Sequence, residues 1–101
     1  QYGEQNIILD PGIGFNKSMN SNFDLLKNIK DYRIDNLPVL IGISRKSIIY
    51  KTLKITAQEA LNGTTVLNTI AVLNGANILR VHDVKEAVEV VKLVGTMKNE
   101  E

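Results

Sequence analysis

The feature that most constrains this chain is an alternation repeated three times: a short apolar run that stops at a polar cluster, followed by residues with helical apolar spacing. Asn6-Ile7-Ile8-Leu9 stops at Asp10-Pro11-Gly12, Val39-Leu40-Ile41-Gly42-Ile43 stops at Ser44-Arg45-Lys46, and Ile78-Leu79-Arg80-Val81 stops at His82-Asp83. Runs that are apolar at successive positions fit strands covered on both faces. Pro38 can open the second of them but could not sit in its middle. Consecutive strands joined through a helix lie parallel with right-handed crossovers. The predicted class is α/β, and two architectures fit: an open doubly wound sheet, or a segment of an eight-stranded barrel. In both, chemistry gathers at the carboxyl ends of the strands.

The intervening residues supply the helices. Ser21-Asn22 offers capping side chains, and Phe23, Leu25, Leu26 and Ile29 predict a first helix over about Asn22 to Lys30. Ser47 to Leu53 reads as a short helical turn. Thr56-Ala57-Gln58-Glu59 has the spacing of a capping box, so a longer helix is expected to start there, carrying Ala60, Leu61, Thr64, Leu67, Ile70 and Ala71. Asn74-Gly75 should close it near Leu73. Asp83-Val84-Lys85-Glu86 repeats the capping pattern, with Asp83 as cap, before the stripe Val84, Ala87, Val88, Val91 and Val94. Residues 95–101 are polar and read as a frayed tail.

A chain of 101 residues with 44% hydrophobic content can bury one modest core, so residues 1–101 are expected to form a single, partial domain. The absence of an initiator methionine before Gln1-Tyr2-Gly3-Glu4 suggests a piece of something longer. With 12 basic and 11 acidic residues spread along the chain, no basic face is available for a phosphate backbone, and nucleic acid is not an expected partner. The lack of cysteine excludes disulfide frameworks and thiolate metal sites and is compatible with a reducing compartment. No apolar run approaches the roughly 18 residues of a membrane span. A soluble, cytoplasmic protein is expected.

Four places could carry chemistry. Asp10 stands where a carboxylate would be fixed at a strand end, able to accept two N–H bonds, although Asp-Pro-Gly is also an ordinary turn sequence. Ser44-Arg45-Lys46-Ser47 puts two cations and two hydroxyls where a strand turns into a helix, suited to an anion or a carbonyl. Adjacent residues point in different directions, so only one of the two cations, Lys46, is expected to face the pocket; the alternative is that Arg45 and Lys46 are both solvated surface charges. Arg80 and His82 alternate about their strand and should point the same way, a cation beside an imidazole that suits phosphate oxygens; the alternative for a single histidine is ordinary hydrogen bonding near the core. Gly12-Ile13-Gly14-Phe15-Asn16-Lys17 lacks the phosphate-loop spacing. Its glycines would let the backbone close over a ligand, and Phe15 either serves that ligand or anchors the loop.

The order and spacing of Asp-Pro-Gly-Ile-Gly-Phe-x-Lys, Ile-Gly-x-Ser-Arg-Lys-Ser and Arg-Val-His-Asp-Val resembles the second half of dihydropteroate synthases, from about Ile7 to Val94. The resemblance implies the last three βα units, strands six to eight with their helices, of a TIM-type β/α barrel. It implies condensation of 6-hydroxymethyl-7,8-dihydropterin diphosphate with 4-aminobenzoate, giving dihydropteroate and diphosphate in folate biosynthesis. By the same resemblance Lys46, Arg80 and His82 are catalytic; Asp10, Gly42, Lys46 and Arg80 bind the pterin, Gly42 by leaving room for it. Phe15, Lys46 and Ser47 take the 4-aminobenzoate, where sulfonamides compete, and Arg80 with His82 holds diphosphate. Magnesium is implied too, with its ligand, and further pterin-binding residues, on earlier strands rather than in this segment. The segment alone is therefore expected to be inactive. A homodimer through helices of this half is expected, and Asn16 departs from the small residue usual at its position.

Two other readings compete. A related pterin-binding methyltransferase barrel holds methyl-folate and passes a methyl group to cobalamin; Ser44-Arg45-Lys46-Ser47 and Arg80-Val81-His82 favour the synthase, which handles a carboxylated amine and a diphosphate. The third is a non-catalytic fragment that self-associates, since three parallel strands leave two unpaired edges.

Overall fold

The computed structural model describes residues 8–14 and 18–99. Strand β1 (Leu40–Ile41) pairs in parallel with β2 (Ile78–Leu79), in the register Leu40 to Ile78 and Ile41 to Leu79. On the other side of β1, Leu9 forms a parallel bridge with Val39, sealed by Leu9 N to Pro38 O at 2.9 Å and Leu40 N to Leu9 O at 2.8 Å. Three parallel segments thus lie side by side in chain order, as the alternation required. The regular pairing is shorter than the apolar runs, although Arg80 N still donates to Ile41 O at 3.0 Å beyond it. Residues 6 and 7 of the first expected strand lie outside the described residues.

Helices α1 (Met19–Lys27), α2 (Ser47–Leu53), α3 (Leu61–Leu73) and α4 (Val84–Asn99) follow the segments. Helix α1 starts earlier than its apolar stripe suggested. Ser18 is the cap, its side chain accepting Ser21 N–H at 3.1 Å, and the expected end of the helix, Ile29–Tyr32, is instead a 3₁₀ turn. Asn22, expected at the cap, is buried and accepts Gly14 N–H at 3.0 Å. The Thr56–Glu59 capping box forms, but it closes a 3₁₀ turn at Ala57–Glu59, and α3 begins only at Leu61. Helix α3 ends at Leu73 as expected, with Gly75 at φ +111°. The residues from Gly95 to Asn99 are not a frayed tail. They continue α4, held by buried Val94 and by Lys98 Nζ reaching Val72 O at 3.3 Å.

The core lies between one face of the strands and the helices. Val39, Ile41 and Ile43 point into it, packed with Leu25, Leu26 and Ile29, with Ile48 and Ile49 of α2, with Ala60 just before α3 and with Ala71 inside it. Period-2 alternation then sends Leu40, Gly42 and Ser44 to the opposite face. At the amino ends of the strands, Asn77 Oδ1 accepts Val39 N–H and Arg33 Nη2, both at 2.9 Å. Helix α4 buries Ala87, Val90 and Val94. The expected stripe residues Val84, Val88 and Val91 are instead 63%, 44% and 51% exposed, because no strand lies beyond β2 among the described residues to cover them. With Leu79 and Val81 they line an open apolar groove beside α4.

Candidate functional site at the strand ends

The pairing of β1 with β2 sets a constant offset of 38 residues, and the same offset governs the side chains past the ends of both strands. Gly42 faces Arg80: a Cβ built at Gly42 would lie 2.9 Å from Arg80 Nε and 3.0 Å from its Cζ. Ser44 faces His82, with Ser44 Oγ 2.8 Å from Nδ1 and accepting the His82 main-chain N–H at 3.2 Å. Arg45 faces Asp83. Because Gly42 and Ser44 share the face opposite the core, Arg80 and His82 stand side by side on that face, as their alternation required. The space left by the missing side chain at Gly42 holds the Arg80 guanidinium.

Arg45 is not a solvated charge. Its backbone takes φ 55°, a left-handed conformation unusual for a residue with a side chain, and this turns the side chain away from its neighbour. Nε and Nη2 grip Asp83 Oδ2 and Oδ1 at 2.9 and 3.0 Å, a bidentate fork. Nη1 donates to Ala57 O and Gln58 O, each at 2.8 Å, and Arg45 N donates to Thr64 Oγ1 at 3.0 Å. This clamp joins the loop after β1 to the loop after β2 and to the approach of α3. Asp83, expected as the cap of α4, directs both carboxylate oxygens at Arg45; its main-chain carbonyl accepts Ala87 N–H. The hydrogen bond from Arg45 holds the Asp83 carboxyl below the usual carboxylate range, and the same bond raises Arg45.

With Arg45 turned aside, Lys46 faces the first loop. Its ammonium donates to Ile13 O, and its stem lies against Gly14, where a Cβ would meet Lys46 Cδ at 2.9 Å. Gly14 has φ +87°, so the loop needs glycine there for backbone and space alike. Burial lowers the Lys46 pKa, the positive charge of Arg80 lowers it further, and the carboxylate of Asp10 opposes both. Lys46 thus feels the charges of both Arg80 and Asp10. Asp10 is exposed and closes its Asp-Pro-Gly turn by accepting Gly12 N–H at 2.9 Å, so the turn and the outward carboxylate coexist. Ser47 is half-buried at the first position of α2.

The strand ends therefore gather a carboxylate, two cations and an imidazole on one face. Such a set can hold a flat heterocycle carrying both N–H groups and a carbonyl, and can stabilise an anion beside it. Phe15, expected to take part, lies outside the described residues, as does Asn16. Sequence reasoning missed the Arg45–Asp83 clamp, the Ser44–His82 contact and the part of Thr64 in holding the loop. The first two were accessible from the register, since one pairing of the apolar runs fixes all the later ones.

The family described as pterin binding enzyme matches residues 2–82. The dihydropteroate synthase of Escherichia coli strain K12 is 43% identical over 91 residues, which are 90% of this chain and 32% of that protein. A crystal structure of a dihydropteroate synthetase with a product superposes with a TM-score of 0.94 at 36% identity, covering 99% of this chain and 42% of that one. The Yersinia pestis enzyme with a pterine-sulfa conjugate gives 0.92 at 37% identity, covering 96% and 38%. This chain spans about a third of the length of the curated relatives it matches. It shares their α/β fold over nearly its whole length, and it belongs to the pterin binding enzyme family.

Proposed function

We propose that this chain forms strands six to eight, with their helices, of a dihydropteroate synthase β/α barrel, and that the face carrying Asp10, Lys46, Arg80 and His82 lines the mouth of that barrel. The observation that carries the reading is that Lys46 lies against the loop after the first segment, Arg80 against Gly42 and His82 against Ser44, so that three successive strand ends meet. In the reaction the bond from the pterin methylene to the diphosphate oxygen breaks, the amine of 4-aminobenzoate bonds to that carbon, and the amine proton is lost to solvent.

The resemblance to dihydropteroate synthases gives each residue a role that suits its chemistry. Asp10 accepts hydrogen bonds from the pterin amino and ring N–H groups. Lys46 donates to the carbonyl side of the pterin, and Arg80, lying over Gly42, packs against the ring. Arg80 and His82 hold the departing diphosphate, where negative charge grows as the bond breaks; fixed donors in such a place contribute about 10²–10³ each in rate. Ser47 and Lys46 receive the carboxylate of 4-aminobenzoate, and Phe15 packs against its ring, which makes this the place where sulfonamides compete. The Yersinia relative bound to a pterine-sulfa conjugate supports that part of the reading.

Among the described residues no group of three or more His, Cys, Asp or Glu side chains is assembled. The magnesium proposed for the whole enzyme would be held by residues outside this segment. Turnover by the segment alone is not expected, since other pterin-binding groups are proposed to lie on the remaining strands. A cytoplasmic homodimer, formed through helices of this half, completes the proposal. No described helix is long and apolar enough to cross a membrane, and the exposed Leu93 and Met97 of α4 supply apolar surface for such contacts.

The test is calorimetric titration of the complete enzyme with inorganic diphosphate. Arg80→Ala and His82→Gln should each weaken binding about tenfold, as expected for loss of a charge-assisted hydrogen bond. Unchanged affinity in both would overturn the diphosphate assignment.

A further inference from the structure

We infer that the Ser44 hydroxyl fixes the neutral His82 ring in the tautomer that carries its proton on Nε2, so that the ring presents a donor to an anion at the strand ends. The anion half of the inference rests on the diphosphate reading above; the tautomer half stands on the geometry of this chain.

Ser44 is 5% exposed, and among the described residues its hydroxyl has two partners, both from His82. A serine hydroxyl has one proton to give and two lone pairs to receive. One lone pair takes the His82 main-chain N–H at 3.2 Å, a bond whose direction is fixed because an amide can only donate. Nδ1 lies 2.8 Å from the same oxygen. Were Nδ1 protonated, it would take the second lone pair, and the Ser44 proton would be left buried without an acceptor, which is costly. Donation from Ser44 to Nδ1 satisfies every group. A neutral imidazole that accepts at Nδ1 carries its proton on Nε2.

The consequence is chemical. Phosphate oxygens at neutral pH mainly accept hydrogen bonds, so an Nε2 lone pair would repel them and an Nε2–H attracts them. His82 can then serve an anion without first becoming charged. The serine and the histidine sit in register at the 38-residue offset, so the strands that place His82 beside Arg80 also place the group that sets its proton. Ser44 is a positioning residue in this account: it acts only through His82.

The experiment uses the complete synthase containing this segment, labelled with ¹⁵N at histidine, with His82→Gln to identify the signal. At a pH where the ring is neutral, His82 Nδ1 should resonate in the range of an unprotonated ring nitrogen, and Nε2 in the protonated range. Ser44→Ala should move both signals toward the average of two exchanging tautomers, whereas Ser44→Thr, which keeps the hydroxyl, should hold them. A protonated Nδ1 in the parent enzyme, or signals unmoved in Ser44→Ala, would overturn the tautomer assignment. In steady-state assays Ser44→Ala should raise KM for the dihydropterin diphosphate about fivefold, with Ser44→Thr restoring it. Shifted signals with an unchanged KM would overturn the anion half, together with the diphosphate role of His82, and would leave the tautomer assignment upheld.

Discussion

Replacing Gly42 with alanine separates the function of the strand ends from the stability of the fold. The added Cβ would meet Arg80 Nε at 2.9 Å and Cζ at 3.0 Å, whereas carbon and nitrogen atoms in comfortable contact lie about 3.5–4.0 Å apart. Arg80 Nη2 would lie closer still, so the guanidinium must retreat by at least roughly 1 Å to restore ordinary contact. It can do so cheaply, being the far end of an exposed, flexible side chain. The positive-φ glycines among the described residues are Gly12, Gly14 and Gly75, so Gly42 has a backbone that alanine tolerates. Gly→Ala at a compatible position stabilises by about 0.4–1 kcal/mol through the unfolded chain, enough to offset the small cost of moving Arg80. Unfolding free energy of the complete enzyme should thus change by less than about 1 kcal/mol. Turnover should fall far more, because misplacing a catalytic group by about 1 Å can cost on the order of a hundredfold. The assay is 4-aminobenzoate-dependent diphosphate release, run as a cycle with Arg80→Ala. If Gly42 acts through Arg80, the double variant should be no slower than Arg80→Ala alone. Parent-like rates in Gly42→Ala, or losses that multiply in the double variant, would show that Gly42 does not act through Arg80.

Four further outcomes are expected. Lys46→Ala and Arg80→Ala should each lower turnover of the complete enzyme about a hundredfold or more, and near-normal rates for both would sink the site assignment. Asp83 has its carboxyl pKa lowered in the folded state, so its contribution to stability is fully present above the ordinary value of 3.8 and is lost as pH falls through the lowered one; Arg45→Gln should flatten that part of the acid unfolding curve, and an unchanged curve would count against the clamp. Gly63→Ala should destabilise by about 1–2 kcal/mol in chemical denaturation, since its Cβ would press on Ile49 Cγ2 at 2.5 Å and Leu53 Cδ1 at 3.1 Å, outweighing the roughly 1 kcal/mol gain in helix propensity. The isolated 101-residue chain should self-associate through its open β2 edge and the exposed valines of α4, which sedimentation would contradict by finding a single monomeric species.

How much of this could be read from the sequence depended on the range of the interactions involved. Helix α2 and the end of α3 at Leu73 were legible because local residues decide them. The start of α1 was not, since Asn22 is buried where it receives Gly14 N–H, a contact eight residues back in the chain, and Ser18 caps the helix instead. The Thr56 capping box was read correctly as a box and wrongly as the start of α3; the chain spends one 3₁₀ turn before Ala60 reaches the core. Val84, Val88 and Val91 looked like a buried stripe because hydropathy cannot tell which apolar face has a neighbour. At the site, strand alternation placed Arg80 and His82 on one face, and Arg45 and Lys46 do point different ways, Arg45 to Asp83 and Lys46 to the first loop. That Arg45 would leave by a left-handed backbone and bind Asp83 is a contact across 38 residues, visible only once the strand register is known.

The central claim, that these strand ends belong to a dihydropteroate synthase site completed by other strands, is tested most directly by diphosphate release. The assay mixes the dihydropterin diphosphate with 4-aminobenzoate and compares this chain alone with the same chain joined to the upstream part of its barrel. Release by the joined form only is expected. Release by the chain alone would contradict the incomplete site, and failure of both forms while methyl-folate still binds would contradict the synthase reading in favour of the methyltransferase.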